Sequence, residues 1–106
     1  MPSKPKPADS RRASLPRACD FEKAFVKDWQ RLDRAGRFDM RRLKQAMLLR
    51  VANEGLMAPE WLDHPLKGEW EDHRECHIGG DFLLIYRVQG AIIRFVRAGT
   101  HAELFE

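Results

Sequence analysis

Two spacings of apolar residues divide the chain. Phe21, Ala24, Phe25 and Leu32 recur at helical spacing, with Asp20 as the expected N-cap and Gly36 as the stop. A second helix is predicted to start at its cap, Asp39, to carry the stripe Met40, Leu43, Met47 and Val51, and to end at Asn53 and Gly55. The link between the two is short, so an antiparallel helical hairpin is expected, preceded by a short strand over residues 16–19. Residues 55–68, with Pro59, Pro65 and two glycines, form a long loop of the kind that often carries function. After that loop the period changes. Strands are predicted at 69–77, 82–88 and 91–98, divided by Gly79-Gly80 and by Gln89-Gly90, which read as tight hairpins. The nearly continuous apolar run of the middle strand marks it as central. The expected fold class is α+β: an N-terminal helical hairpin packed on a small, mainly antiparallel sheet of three to four strands.

A length of 106 residues and a hydrophobic fraction of 43% suit one domain with a modest core. No apolar run is long enough for a membrane span, and residues 1–18 lack the apolar stretch of a secretory leader. Two cysteines make no disulfide framework, so a reduced, cytoplasmic protein is expected. Residues 1–14, rich in Pro, Ser and basic residues, are expected to be a disordered basic extension of a domain at 15–106. Charge sharpens this division. Of the net +3, residues 1–19 carry +4 and the rest −1, so the overall basicity is weak evidence for a nucleic-acid partner. Within the domain, residues 23–50 carry +6 and residues 51–106 carry −5. A cationic helical half of this kind either docks on a polyanion or is a solvated face of mixed charge.

The candidate chemistry lies in the acidic half. His64, His73, His77 and His101 all fall there beside Asp81, and the strand order can gather several of them at one sheet edge. A metal site from His73, Cys76 and His77, with His64 or His101, is one reading. Alternation along a strand would divide those side chains between two faces, and no paired Cys-x-x-Cys or His-Glu-x-x-His motif is present, so no metal or other cofactor is expected. The other reading is metal-free acid–base catalysis by His and Asp, with Arg97 offsetting a developing anion. RNA suits such a site because its 2′-hydroxyl supplies the nucleophile.

Four short motifs then occur in order: Asp63-His64-Pro65-Leu66-Lys67-Gly68-Glu69-Trp70, Arg74-Glu75-Cys76-His77-Ile78, Asp81-Phe82-Leu83-Leu84-Ile85-Tyr86, and Arg97-Ala98-Gly99-Thr100-His101-Ala102-Glu103-Leu104-Phe105. Over roughly residues 17–105 the chain resembles the YafQ branch of the RelE-type toxins, mRNA interferases of type II toxin–antitoxin systems. The resemblance implies a RelE-like fold and a ribosome-dependent endoribonuclease held inactive by a DinJ- or RelB-like antitoxin, with operator DNA reached only through that partner. It places the catalytic set on His64, His77, Asp81 and His101; within that set, acid–base chemistry leads us to expect the base among His64, His77 and Asp81 and the acid at His101. Arg97 and Arg87 are the implied phosphate contacts, and Phe82 and Phe105 the aromatic ones. Gly80 and Phe82 stand where the family commonly has proline and tryptophan, and Phe82 keeps a ring for stacking on a base. Ribosomal RNA becomes the polyanion for Arg37, Arg41, Arg42, Lys44 and Arg50. The alternative is a non-catalytic relic that binds only antitoxin and operator DNA.

Overall fold

The computed structural model describes residues 17–53, 55 and 57–106, so the expected extension at 1–14 lies outside the described residues. Strand β1 (Ala18–Phe21) leads into helices α1 (Lys23–Ala35) and α2 (Met40–Ala52). Two 3-10 turns, Pro59–Trp61 and Gly68–Trp70, flank the two-residue strand β2 (His64–Pro65). Strands β3 (Arg74–Gly79), β4 (Phe82–Gln89) and β5 (Ile92–Thr100) follow, and the short helix α3 (His101–Phe105) ends the fold. The sheet has five strands in the order β1-β5-β4-β3-β2, antiparallel except where β1 runs parallel to β5.

The expected α+β architecture is present, and its two edge strands depart from the sequence pattern. β1 ends two residues beyond the predicted strand, because Asp20 and Phe21 stay extended and pair with Arg94 and Phe95. The N-cap of α1 is therefore Glu22, not Asp20, whose carboxylate instead lies 3.2 Å from the Arg94 guanidinium. β2 is only two residues long, and proline within a predicted loop gives little signal for it. Residues 69 and 70 belong to a 3-10 turn and not to β3. Gly36 closes α1 in the left-handed conformation, and Asp39 caps α2 by accepting the Arg42 N–H at 2.9 Å, as expected.

Both helices pack on one face of the sheet. Phe25 and Leu32 of α1 and Leu43 and Ala46 of α2 meet Cys76, Ile78, Leu84, Tyr86, Ile93 and Phe95 in a single core. The buried line of α2 is Leu43, Ala46 and Arg50, and the predicted Met40, Met47 and Val51 flank it half-buried. Leu83 and Ile85 point the other way and form a second, smaller cluster with Leu104, bordered by Leu66, Trp70, Val96 and Phe105. Phe82–Tyr86 is buried without a break because β4 is covered on both faces. Among the described residues, no helix is long and apolar enough to cross a membrane.

Beyond Phe95, β5 has no β1 neighbour, and α1 takes over that edge. The Asp28 carboxylate, nearly fully buried, accepts the Ala98 N–H at 3.1 Å, a bond that a neighbouring strand would otherwise supply. It also holds Arg97 through two contacts of 2.7 and 3.2 Å. This anchors the strand that leads into α3.

Candidate active site

The site is built on the sheet face opposite the two long helices. β2–β3 pairing sets His64 directly across from Glu75, and alternation along β3 brings His77 to the same face two residues later. The His64 Nε2 lies 2.9 Å from Glu75 Oε2, and the His77 Nε2 lies 3.9 Å from the same oxygen. The two imidazole rings are 5.9 Å apart. The His64 Nδ1 meets the Leu62 carbonyl at 2.6 Å, so the ring is engaged at both nitrogens.

A buried network fixes the loop from which His64 projects. Asp63 accepts the Tyr86 hydroxyl at 2.6 Å and the Arg74 Nε–H at 3.2 Å, and it faces Arg50 at 3.7 Å. Burial and then the Asp63 carboxylate push the Tyr86 phenol well above its ordinary range, which keeps it a hydrogen-bond donor.

Asp81 and His101 meet at the other side of the same face. Gly80 takes a positive φ of 53° in the turn between β3 and β4, and Asp81 follows at the turn's exit. Its Oδ1 accepts the His101 backbone N–H at 3.2 Å and so ties the turn to the start of α3. A capping box shapes that start: Thr100 Oγ1 accepts the Glu103 N–H at 3.2 Å, and Glu103 Oε1 accepts the Thr100 N–H at 2.8 Å. Burial alone would raise the Glu103 pKa, but the Thr100 hydrogen bonds and the Arg31 charge outweigh it and lower the carboxyl.

His77, Leu83 and Gly99 pair in one row across β3, β4 and β5. At the usual strand spacing His77 therefore stands about 10 Å from the strand that delivers His101. The expected four residues thus form two groups on one face, with His64 and His77 on one side of Leu83 and Asp81 and His101 on the other. Aromatic rings line the second group. The His101 and Phe105 rings are 4.9 Å apart, Phe105 and Trp70 are 5.9 Å apart, and Trp70 meets His73 edge-on at 5.3 Å. Trp70, His73, Phe105 and Glu69 border an open cleft of about 560 Å³.

Three expectations for side chains change. Phe82 is 5% exposed and packs 5.0 Å from Phe38 in the helix-side core, so it offers no face to a base. Arg97 stands in the row of Glu75 and Ile85, but its guanidinium is held by Asp28, the carboxylate that also accepts the Ala98 N–H where β5 lacks a neighbour strand. Arg50 is buried, faces Asp63 and donates to the Gly55 carbonyl at 2.7 Å, so it cannot dock on RNA from the surface. Arg42 is half-engaged: its Nε donates to the Ile78 carbonyl, and its guanidinium lies 4.0 Å over the Trp61 ring. Arg37, Arg41 and Lys44 are exposed. Arg87 shares the Leu83 and Ile85 face by alternation along β4 and is half-buried.

From sequence pattern, Glu75 is one acid among several and His73 a surface residue. Glu75 is 6% exposed, and β2 reveals its place only once the pairing of His64 is known. His64, Glu75 and His77 bring ligand-type atoms within 4.8 Å of one another, compact enough to share a cation. Cys76 lies outside that group, because it faces the helix-side core, where burial pushes its thiol up to about 12.

Residues 17–106 match the family described as the bacterial toxin of type II toxin–antitoxin systems, YafQ. The chain belongs to this family. It is 35% identical over 91 residues to the mRNA interferase toxin YafQ of Escherichia coli strain B / BL21-DE3, covering 86% of this chain and 98% of that protein. The crystal structure of YafQ from E. coli BL21(DE3) superposes with a TM-score of 0.78 at 34% identity, covering 85% of this chain and 99% of that one. YafQ in the E. coli DinJ–YafQ toxin–antitoxin complex is similar, with a TM-score of 0.77 at 35% identity over 87% of this chain and all of that one. Membership of the YafQ family agrees with the four motifs and with the sheet order they occupy.

Proposed function

We propose that this mRNA interferase toxin cuts messenger RNA in the decoding site of the translating ribosome by metal-free acid–base catalysis. A DinJ- or RelB-like antitoxin would hold it inactive, and operator DNA would be reached only through that antitoxin. Its place of action is then the cytoplasm. The observation that carries the reading is the gathering of His64, His77, Asp81 and His101, from β2, β3, a turn and α3, on one sheet face beside an aromatic-lined cleft.

In the proposed reaction the RNA 2′-oxygen attacks the adjacent phosphorus, and the bond to the 5′-oxygen of the next nucleotide breaks. A base among His64, His77 and Asp81 takes the 2′-hydroxyl proton, and His101 gives a proton to the leaving 5′-oxygen. Each such transfer typically contributes about 10²–10⁴-fold. Arg87 remains the cation for the phosphorane-like transition state, since Arg97 is bound to Asp28. Phe105 and Trp70 border the cleft where a base flanking the cut would stack.

Induction of the protein alone in bacteria should arrest growth, and the messages should show internal cuts by primer extension. His101→Ala should relieve the arrest while soluble protein persists. An equally toxic His101→Ala variant would remove His101 from the acid role. A non-toxic wild type would favour the relic that binds antitoxin and operator without cleaving RNA.

A further inference from the structure

His101 opens α3, so whatever fixes that five-residue helix also aims the His101 ring. The capping box is local, since Thr100 and Glu103 satisfy each other and do not fix the helix against the rest of the fold. Asp81 ties the first N–H to the β3–β4 turn. The tie to α1 is made by Arg31, one turn after Asp28. Its Nη2 donates to Asp28 Oδ1 at 3.1 Å and to the Ala98 carbonyl at 3.5 Å, and its Nη1 donates to Glu103 Oε2. Glu103 Oε1 is the oxygen that caps Thr100, so this carboxylate is held from both sides. The bridge passes close to Gly99, where a Cβ would lie 3.1 Å from Glu103 Oε1 and 3.4 Å from Arg31 Nη2. The Arg31 and Glu103 side chains are 42% and 33% exposed, so their pairing adds little to global stability. Its effect is on geometry.

We propose that Arg31 is a positioning residue: by bridging Asp28 on α1 and Glu103 on α3 it aims the His101 ring at the leaving 5′-oxygen. This rests on the ribonuclease reading above and adds to it a residue of the helical layer. As the bond from phosphorus to the 5′-oxygen breaks, that oxygen takes its proton from His101, a transfer that depends on the ring being in place. A sulfur in the same position leaves as a thiolate and needs no proton. The two leaving groups therefore separate a misplaced acid from a damaged fold.

The test compares wild type, Arg31→Gln, Arg31→Lys, His101→Ala and the Arg31→Gln/His101→Ala double variant in ribosome-dependent cleavage. The messages carry oxygen or a bridging 5′-sulfur at the cut. On the oxygen message Arg31→Gln should lower kcat by about 10- to 10²-fold, the upper figure being the cost of misplacing a reacting group by about 1 Å. KM for programmed ribosomes should stay nearly unchanged, and Tm should stay within about 4 °C. On the sulfur message Arg31→Gln and His101→Ala should both cleave nearly as fast as wild type. Arg31→Lys should recover part of the loss, since an ammonium lacks the fork that spans both carboxylates. The double variant should be no slower than His101→Ala, because Arg31 acts through that ring. Hydrogen exchange at the His101 and Glu103 N–H should quicken in Arg31→Gln while β4 is unaffected. Equal losses on both messages would overturn the proposal, as would a raised KM at constant kcat or unchanged exchange in α3. A His101→Ala variant that sulfur does not rescue would overturn it too, by removing the acid. Should wild type cleave neither message, the ribonuclease reading falls, and the exchange alone decides whether Arg31 fixes α3.

Discussion

At the scale of single residues, the same side-chain types serve opposite ends here, and environment separates them. Phe82 and Phe105 both suit stacking on a base, yet one fills the core against Phe38 and the other borders the open cleft. Among the arginines, Arg97 and Arg50 are bound to Asp28 and Asp63, while Arg37 and Arg41 face solvent. Asp28 is the residue on which this sorting turns, since it neutralises Arg97 and closes the end of β5 at once. Asp28→Asn keeps the shape but leaves Arg97 partly buried without its paired carboxylate, with only the more distant Glu103 charge remaining. The expected loss is about 3 kcal/mol, toward the low end for breaking a buried pair because Arg97 keeps some solvent contact. Urea denaturation measures it, and a loss below about 1 kcal/mol would mean that Arg97 re-solvates freely.

Among the elements, α3 shows how a five-residue helix too short to stand alone is held in place. Thr100 and Glu103 cap it, Asp81 ties its first N–H to the turn, and Leu104 inserts into the Leu83 and Ile85 cluster. His101 and Phe105 owe their positions to these contacts. Because the folded protein lowers the Glu103 pKa, it favours the charged form. The resulting stability is fully present above the ordinary value of 4.5 and disappears as pH falls through the lower, folded value. Thermal melts of wild type and Glu103→Gln should therefore differ most at neutral pH and converge in acid. A gap that stays constant between pH 7 and pH 3 would show that the Glu103 charge contributes nothing.

On the whole-molecule scale, charge and chemistry lie on different layers. The cationic helices cover one face of the sheet, and the histidines stand on the other. The layers meet at the β3–β4 hairpin, where Arg42 holds the Ile78 carbonyl and Phe38 packs on Phe82 beside the turn that carries Asp81. A docking role for the exposed Arg37, Arg41 and Lys44 would thus grip RNA near that turn while leaving the histidine face open. Reversing Arg41 and Lys44 to glutamate should weaken ribosome association. It should also flatten the log–log salt dependence by about 1–2 in slope, one increment for each phosphate no longer neutralised. An unchanged slope would return these residues to an ordinary solvated face.

Local pattern alone determined the main elements and named the candidate residues. The two helices, the Asp39 cap, the Gly36 stop, the hairpin glycines and the central position of β4 follow from periodicity and turn residues that act over a few positions. The ordered motifs identified the family because they carry residue identity and spacing together. Contacts between distant residues were decided only by the tertiary structure. β1 and β2 are short strands stabilised by partners 74 and 11 residues away, so their ends leave little trace in their own composition. The assignment of Arg97 to Asp28, Arg50 to Asp63 and Glu75 to His64 depends on which face each strand turns inward, and irregularities between His77 and Gly79 of β3 and opposite the Ile85–Tyr86 step of β4 shift the register. Residue type said which groups could donate, accept or carry charge; packing decided which of them were left free to do so.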